Sequence, residues 1–546
     1  MKAGNSTPVF EMEKREVLMD NIVIDKTKCY VCGECVETCI LDNLRLKLAP
    51  CRAACPIHTN CQGYIHLLAQ GKVDDALVEV RKGLPFPGII GRVCSHPCES
   101  HCKRTDLDSE PVAIRDIKRF LADHERELWP DLPKPHRRPQ RVAVVGSGPA
   151  GMMASFDLAQ MGYGVTVFEA LDKAGGMLRV GIPEFRLPSA ILDRELELLT
   201  RLGVEFKYRV PVGKNVSLNR LVQEYDAVFL ATGAHIAPRL NLQGEDSVQV
   251  HSALDFLKGA RSGRVQLSGR VVVIGGGNSA VDAAQTARRA GGKDVAIVCL
   301  ESRDEMPAFP WEVRDALEEG VEIVNGWGPL AFEHRNGAVE AVTFARCLSV
   351  FDEHGRFRPR MDPSITRRDA ADEVIVAIGQ SADVGYARGM KGLTRKGLLA
   401  ADPVTLQTSI PHVFAGGDAL RGPKTVIDAM ADGKEAAISI DRYLSGEGLH
   451  WGRNYLDGPF ITNFEVDTTG AVRRHRTRMP KISPDDRRDF REVELGFSRA
   501  RAIREAERCL KCGDPYGPNQ TCWYCLPCEI VCPVEALRVE IPFLVR

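Results

Sequence analysis

The sequence predicts an α/β protein with two Rossmann-like nucleotide-binding domains, a helical domain before them, and a small cysteine-rich segment at each end. Three observations predict it. Two apolar, strand-like runs each open into a glycine turn and then a helix, at residues 141–151 and 270–280. Between residues 49 and 129 the apolar side chains recur at helical spacing instead, as in Tyr64 to Leu68 and Ala76 to Val80. The 18 cysteines are clumped, ten from Cys29 to Cys102 and six from Cys509 to Cys532.

A chain of 546 residues is too long for one core and suits about three to five domains of ~100 to 200 residues. We expect a terminal segment at 1–48, the helical domain at 49–135, the first nucleotide-binding domain in two parts at 136–255 and 373–446, the second at 256–372, an extended surface linker at 447–504 and a second terminal segment at 505–546. The net charge of -1 argues against a nucleic-acid partner or a basic membrane-binding face. No apolar run reaches the ~18 residues of a membrane span and the N-terminus is too polar for a secretory signal, so a cytoplasmic protein is expected. In that setting cysteines at CxxC spacing read as ligands of metal or iron-sulfur groups, not as a disulfide framework.

In chain order the first element is the run Cys29, Cys32, Cys35, Cys39, between short strand-like stretches at 21–24 and 44–46. Its CxxCxxCxxxC spacing is that of bacterial ferredoxins, with Ile40 where proline is usual. The helical domain then brings Cys51, Cys55, Cys61, Cys94, Cys98 and Cys102, and four prolines among basic residues make 130–140 a linker.

The first glycine turn runs Gly146, Ser147, Gly148, Pro149, Ala150, Gly151. Glycines there let the backbone approach a pyrophosphate, and the helix N-terminus supplies free N–H groups and the positive end of its dipole. The next strand ends at Glu169, spaced to accept from an adenosine ribose; by itself Glu169 could equally be a surface acid. The second turn, Gly275, Gly276, Gly277, Asn278, Ser279, Ala280, has Ala at its third position, which concerns helix–strand packing and tolerates it. Two such units more than a hundred residues apart imply two dinucleotides. Further on, Asp418 follows two glycines and reads locally as a cap opening a helix from Val426 to Ile440, as Asn278 reads as a cap of its own helix.

These turns, together with Cys94-Ser-His-Pro-Cys98-Glu-Ser-His-Cys102, the run from Gly175 to Pro188, Ala231-Thr232-Gly233, Glu305-Met306-Pro307 and Ala415-Gly416-Gly417-Asp418, make residues 49–446 resemble the glutamate synthase small-subunit family. That family includes the flavin-containing part of dihydropyrimidine dehydrogenase and the large subunit of the NADH-dependent ferredoxin:NADP oxidoreductase. The resemblance implies FAD in the first unit, with Gly176, Met177, Arg186, Thr232, Gly233 and Gly417 around it and Asp418 at its ribityl-phosphate region, and NAD(P)H docked against the flavin by Gly275, Gly277, Asn278 and Ser279.

The choice of nicotinamide turns on charge after the second strand of the second unit. A 2'-phosphate wants Arg, whereas a 2'-hydroxyl wants a carboxylate acceptor. Relatives read as NADP users carry Tyr-Arg-Arg there, and this chain has Cys299-Leu300-Glu301 and then Ser302-Arg303. NADH is expected, with Glu301 as discriminator; Arg303 as a phosphate clamp for NADPH is the alternative.

The C-terminal run Cys522, Cys525, Cys528, Cys532 repeats the ferredoxin spacing with Pro533 in place. In two-cluster ferredoxins three close cysteines hold one cube and the fourth crosses to the other. We therefore expect the two ends to pair as one split ferredoxin, Cys532 completing the Cys29/Cys32/Cys35 site and Cys39 completing the Cys522/Cys525/Cys528 site. Closure of each run on itself, or pairing across a dimer, stays open. By the resemblance, a CxxC belongs just upstream of Cys51; none is there, and Cys509 with Cys512 supplies it, so Cys51, Cys102, Cys509 and Cys512 are assigned to one cube. Cys55, Cys94 and Cys98 need a fourth ligand. Some relatives use a side-chain oxygen where this chain has Lys118, so Cys61 is expected, with a plain buried thiol as its alternative. That makes four [4Fe-4S] clusters. Zinc is the rival, and CxxCxxC triplets fit a cube better than paired zinc knuckles. Cys299 and Cys347 read as core thiols.

The implied activity is hydride transfer from the nicotinamide to FAD and single-electron steps into the clusters, chemistry that belongs to the cofactors. No catalytic acid or base is expected. The acceptor would be ferredoxin or another redox subunit of a hetero-oligomer such as a glutamate synthase, hydrogenase, formate dehydrogenase or bifurcating assembly. A non-catalytic wiring subunit is the remaining reading.

Overall fold

The computed structural model describes residues 22–39, 44–130, 132–133, 135–453, 460–516, 522 and 525–540. The proline exchange noted at Ile40 lies outside them.

Two five-stranded parallel sheets carry the molecule. The first orders its strands Val413–Ala415, Ala227–Leu230, Arg141–Val145, Gly164–Phe168, Glu205–Lys207. The second orders Glu322–Asn325, Asp294–Cys299, Arg270–Ile274, Glu373–Val376, Val250–Ser252. Strands covered on both faces read as continuous apolar runs, as at Val142 to Val145 and Val271 to Ile274. Against the second sheet lies an antiparallel apron of Trp327–Arg335, Ala338–Phe351 and Phe357–Ala370.

The helix Pro149–Gln160 packs on the long helix Val426–Ser445. They approach closely: a Cβ on Gly433 would sit 2.2 Å from the Ala150 carbonyl oxygen. Thr425 and Asp428 form a capping box that starts the long helix, and Gly446, at φ 74°, stops it five residues beyond the expected end. Asp418 therefore does not open this helix; it begins a separate single turn, Asp418–Arg421.

The helices Cys61–Ala69, Val73–Gly83, Pro87–Val93 and Ile114–His124 share one apolar core with the first sheet. Their join is polar as well as apolar: Glu195, on helix Ser189–Arg201, accepts from the N–H groups of Gly88 at 2.7 Å and Ile89 at 2.9 Å. At the chain ends, strand Ile22–Ile24 pairs antiparallel with Leu537–Val539, and Arg45–Lys47 lies between Phe460–Ile461 and Pro515–Tyr516.

The stretch expected to run over the surface between the last helix and the last cysteines is instead a strap. Arg476 pairs with Glu99 at 2.6 Å, Glu492 with Arg92 at 2.7 Å, Glu494 with Arg115 at 2.8 Å and Lys481 with Asp315 at 2.6 Å. The Val493 N–H donates to Phe185 O at 3.0 Å. Residues near both sheets and the helical domain are thus tied by one segment. Burial opposes the Glu494 charge, and Arg115, Arg119 and Lys481 reverse that and hold it down to about 2. Among the described residues no helix is long and apolar enough to cross a membrane.

Candidate functional site

Both glycine turns face one cavity of about 800 Å³. A Cβ added to Gly148 or Gly277 meets no protein atom within 4 Å, so these glycines clear space for something outside the protein. Others clear space for the protein itself: a Cβ would lie 2.3 Å from Ala231 O at Gly146, 1.9 Å from Gly146 O at Gly151 and 2.3 Å from Ala377 O at Gly275. The helices that follow, Pro149–Gln160 and Asn278–Arg289, have no side-chain cap, which leaves their first N–H groups to the cavity. This cradle fits a dinucleotide pyrophosphate at each turn.

Glu169 is no surface acid. It is 5% exposed and accepts from the N–H groups of Ser147 at 3.0 Å and Leu171 at 2.8 Å and from the Ser147 hydroxyl. It fixes the first turn while lining the cavity. Gly176, at φ 53°, lets its backbone approach Gly148, whose Cα would be 2.8 Å from an added Cβ, and Met177 begins the turn that closes that wall. The Thr232 hydroxyl meets the Tyr386 hydroxyl at 3.0 Å, with Gly233 next to it at φ 69°. Gly417 N–H donates to Asp432 at 2.8 Å, and Asp418 accepts from the Lys424 N–H at 3.1 Å. Burial pushes the Asp418 carboxyl up to about 6 against that N–H.

In the second unit Asn278 is not a cap. It is the first helical residue, and its Oδ1 accepts from the Phe309 N–H at 2.7 Å, pinning the loop that carries Pro307 and Phe309 into the cavity. Ser279 lines the same wall. Arg186 lines it too, but donates across the units to both oxygens of Asp282 at 2.7 and 2.8 Å and to Glu312 at 2.5 Å. Burial pushes Glu312 up to about 7 despite Arg186, and its second oxygen is buried with no hydrogen-bond partner. Glu301 and Arg303 lie outside the cavity lining. The Glu301 carboxylate stands over the second turn, with Oε2 2.5 Å from a Cβ built on Gly276, whereas Arg303 is exposed and reaches Met306 Sδ at 3.9 Å.

On the opposite wall are Val93 and Ser95, the neighbours of Cys94. Behind them Cys55, Cys61, Cys94 and Cys98 lie within electrostatic reach of the buried Lys118. The Cys61 thiol hydrogen-bonds both Cys98 and Cys51, so it stands between this group and the next. Cys51, Cys509 and Cys512 each lie within electrostatic reach of Cys102. Burial opposes the Lys118 charge, and the facing sulfurs more than restore it, leaving it above the usual lysine range. At the paired chain ends Cys532 neighbours Cys29 and Cys35, and Cys39 neighbours Cys528 together with Cys522 and Cys525. Burial pushes the Cys29 and Cys528 thiols to about 11 and those of Cys35, Cys509 and Cys512 to about 12. The His96 N–H donates to Cys94 Sγ at 3.3 Å and the Ala536 N–H to Cys532 Sγ at 3.1 Å. Among the described residues no three His, Cys, Asp or Glu side chains converge on a single-ion site; a cube spreads its thiolates over a wider box. Cys299 and Cys347 are buried at 2% and 8% exposure, away from these groups.

Sequence reasoning missed Ser147, Asp282, Glu312 and Tyr386 as parts of the site; Ser147 sat inside the first glycine turn and Asp282 just after the second, where they could have drawn attention.

A cavity shared by two pyrophosphate cradles, walled by a cysteine cage, defines the class: a two-nucleotide iron-sulfur flavoprotein. Comparison with known proteins agrees. The pyridine nucleotide-disulphide oxidoreductase family matches residues 140–433, and domain II of dihydropyrimidine dehydrogenase, with its 4Fe-4S cluster, matches residues 10–129. The NADP(+)-dependent formate dehydrogenase subunit beta of Moorella thermoacetica is 39% identical over 85% of this chain and 70% of its own length. The NAD-dependent dihydropyrimidine dehydrogenase subunit PreT of Escherichia coli is 34% identical over 73% of this chain and 92% of its own. The glutamate synthase [NADPH] small chain of Escherichia coli is 34% identical over 72% and 88%. This chain belongs to the pyridine nucleotide-disulphide oxidoreductase family, alongside the glutamate synthase small chain, and is an iron-sulfur flavoprotein oxidoreductase that uses a nicotinamide dinucleotide.

Proposed function

We propose that the chain is the electron-input subunit of a cytoplasmic hetero-oligomer, passing electrons from NADH through FAD and four [4Fe-4S] clusters to ferredoxin or a partner redox subunit. The observation that carries this reading is the reach of one cavity from both glycine turns to Val93 and Ser95, which flank Cys94. FAD bound there supplies the two-electron to one-electron exchange, and this chain's residues orient it and place a cluster beside it. The ligand sets are Cys55/Cys61/Cys94/Cys98, then Cys51/Cys102/Cys509/Cys512, then the split ferredoxin of Cys29/Cys32/Cys35/Cys532 and Cys39/Cys522/Cys525/Cys528. Contact between the Cys51 and Cys61 thiols supports the first link of that order. Exposure of Cys525 supports an exit at the terminal module. The division into domains expected from the sequence goes with this reading.

The relatives' names point both ways on the nicotinamide, two to NADP(H) and one to NAD. NADH is favoured here because the Glu301 carboxylate at Gly276 suits a ribose hydroxyl and repels a 2'-phosphate. The deciding experiment is anaerobic mixing of the cluster-loaded chain with NADH and, separately, NADPH, following flavin and cluster absorbance. Fast bleaching by NADH with slow bleaching by NADPH is expected. Preference for NADPH overturns the role given to Glu301, and flavin bleaching without cluster bleaching overturns the electron path.

A further inference from the structure

Helix Ile114–His124 carries three inward cations, the half-buried Arg115 and the buried Lys118 and Arg119, and two of them are neutralised. Arg115 donates to Glu494 at 2.8 Å and to Asp116 at 2.9 Å. Arg119 meets Glu492 at 2.8 Å, Asp123 at 3.2 Å and Glu494 at 3.3 Å. The third, Lys118, is 3% exposed and among the described residues has no carboxylate partner; its helix packs on the helices that carry Cys61 and Cys98 and on the one that ends at Cys94, and the sulfurs of Cys94, Cys98, Cys61 and Cys55 are the charges that act on it most.

Burying an ammonium without a counter-charge costs several kcal/mol, so this position makes physical sense only beside an anion. Four neutral thiols do not supply one. Four thiolates around a cube do, because the cluster they hold carries net negative charge and gains one more on reduction. A fixed positive charge inside the cage therefore stabilises the reduced cluster more than the oxidised one. Near the other cage of the helical domain, Arg508 is occupied by Glu505 at 2.7 Å and Asp108 at 3.0 Å, and Arg104 by Asp108 at 2.6 Å.

We infer that Lys118 acts through the cluster of Cys55, Cys61, Cys94 and Cys98, raising its reduction potential so that it collects electrons from the adjoining flavin. The inference rests on the ligand set proposed above. The step it favours moves one electron from reduced FAD to the oxidised cluster, with no bond made or broken and the ammonium unchanged. Lys118 is a positioning charge and not a ligand.

The test is a redox titration of the cluster-loaded full chain, followed by electron paramagnetic resonance, for the parent, Lys118→Met and Lys118→Arg, with iron counted in each. The expected result is full iron in all three and a lower potential for one cluster in Lys118→Met. At the poise where that cluster is half reduced in the parent, its reduced-to-oxidised ratio falls tenfold or more, which is about 59 mV for one electron. Lys118→Arg, which keeps the charge, should titrate close to the parent. An unshifted potential in Lys118→Met with full iron overturns the inference, as does a Lys118→Arg shift as large as that of Lys118→Met. Loss of a cube's worth of iron from Lys118→Met also overturns it, since the lysine would then serve assembly. Failure of the underlying ligand set shows separately: Cys61→Ala retaining every iron and every cluster signal would sink that set whatever Lys118 does.

Discussion

The two glycine turns share one cavity, yet the first is built shut and the second is built open. At the first, a Cβ on Gly151 would fall 1.9 Å from a carbonyl oxygen, and Glu169 is sealed in by three donors from Ser147 and Leu171. At the second, Ala280 already fills the matching position, and Glu301 is only half-buried, with the Cys299 thiol hydrogen-bonded to its side chain. A unit that never releases its nucleotide can afford a turn with no slack. One that must exchange its nucleotide at every turnover keeps the carboxylate accessible and spends its rigidity elsewhere, on the Asn278 contact to Phe309 and the Arg186 bridge to Asp282 and Glu312.

The contrast can be broken most forcefully at the third glycine. Gly151→Ala forces backbone against backbone, and overpacking of that kind costs about 1 to 3 kcal/mol or more. Flavin content and thermal stability should both fall sharply, while Ala280→Gly at the matching position should cost no more than ~1 kcal/mol and leave flavin content intact. Next in size, Glu169→Ala leaves buried N–H groups unpaired at about 1 to 3 kcal/mol each, so FAD should be lost on gel filtration while nucleotide binding at the second turn persists. Glu301→Ala should leave FAD in place and shift the ratio of NADH to NADPH kcat/KM toward NADPH by tenfold or more, about 1.4 kcal/mol. An unchanged ratio would remove Glu301 from the argument.

A separate test is a pH dependence of docking between the units. The folded chain holds the Glu312 proton up to about pH 7, whereas the ordinary value is 4.5. A carboxylate whose folded value is raised adds stability below its unfolded value and loses it as pH rises. The parent should therefore lose stability relative to Glu312→Gln between about pH 4.5 and 7 and level off above. The full shift corresponds to at most about 3 kcal/mol, within reach of calorimetry. A flat difference across that window would mean that Arg186 keeps Glu312 ionised throughout.

The parts legible in the sequence are those whose cause is local. A buried parallel strand needs an unbroken apolar run, and a pyrophosphate cradle needs glycines at fixed offsets, so Val142 to Gly151 and Val271 to Ala280 announce themselves. The start of the long helix at Val426 was legible too, but its cap, the box from Thr425 to Asp428, was not recognised because Asp418 offered a competing cap nearer the glycines. The Arg186 bridge was not legible: Asp282 lies 96 residues away and Glu312 lies 126 away, on the other unit. The strap was hidden for the same reason, since its acids and bases look like solvated surface until the partners they meet across the chain are known. Lys118 looked like a missing ligand, because spacing reveals which residue occupies a cage and not what charge the cage requires.

The antiparallel pair of Ile22–Ile24 with Leu537–Val539 also has a meaning in time. During synthesis the first of these strands leaves the ribosome some five hundred residues before its partner exists, a wait of roughly half a minute or more at ~5 to 20 residues per second. On the ligand sets proposed above, the cysteines that follow it, and the helical cage that would take Cys509 and Cys512, remain unfinished until residues 509 to 532 are read. On that proposal cofactor loading of these segments is a late step, and a polypeptide stopped before Cys509 would carry both nucleotide cradles but no finished outlet for their electrons.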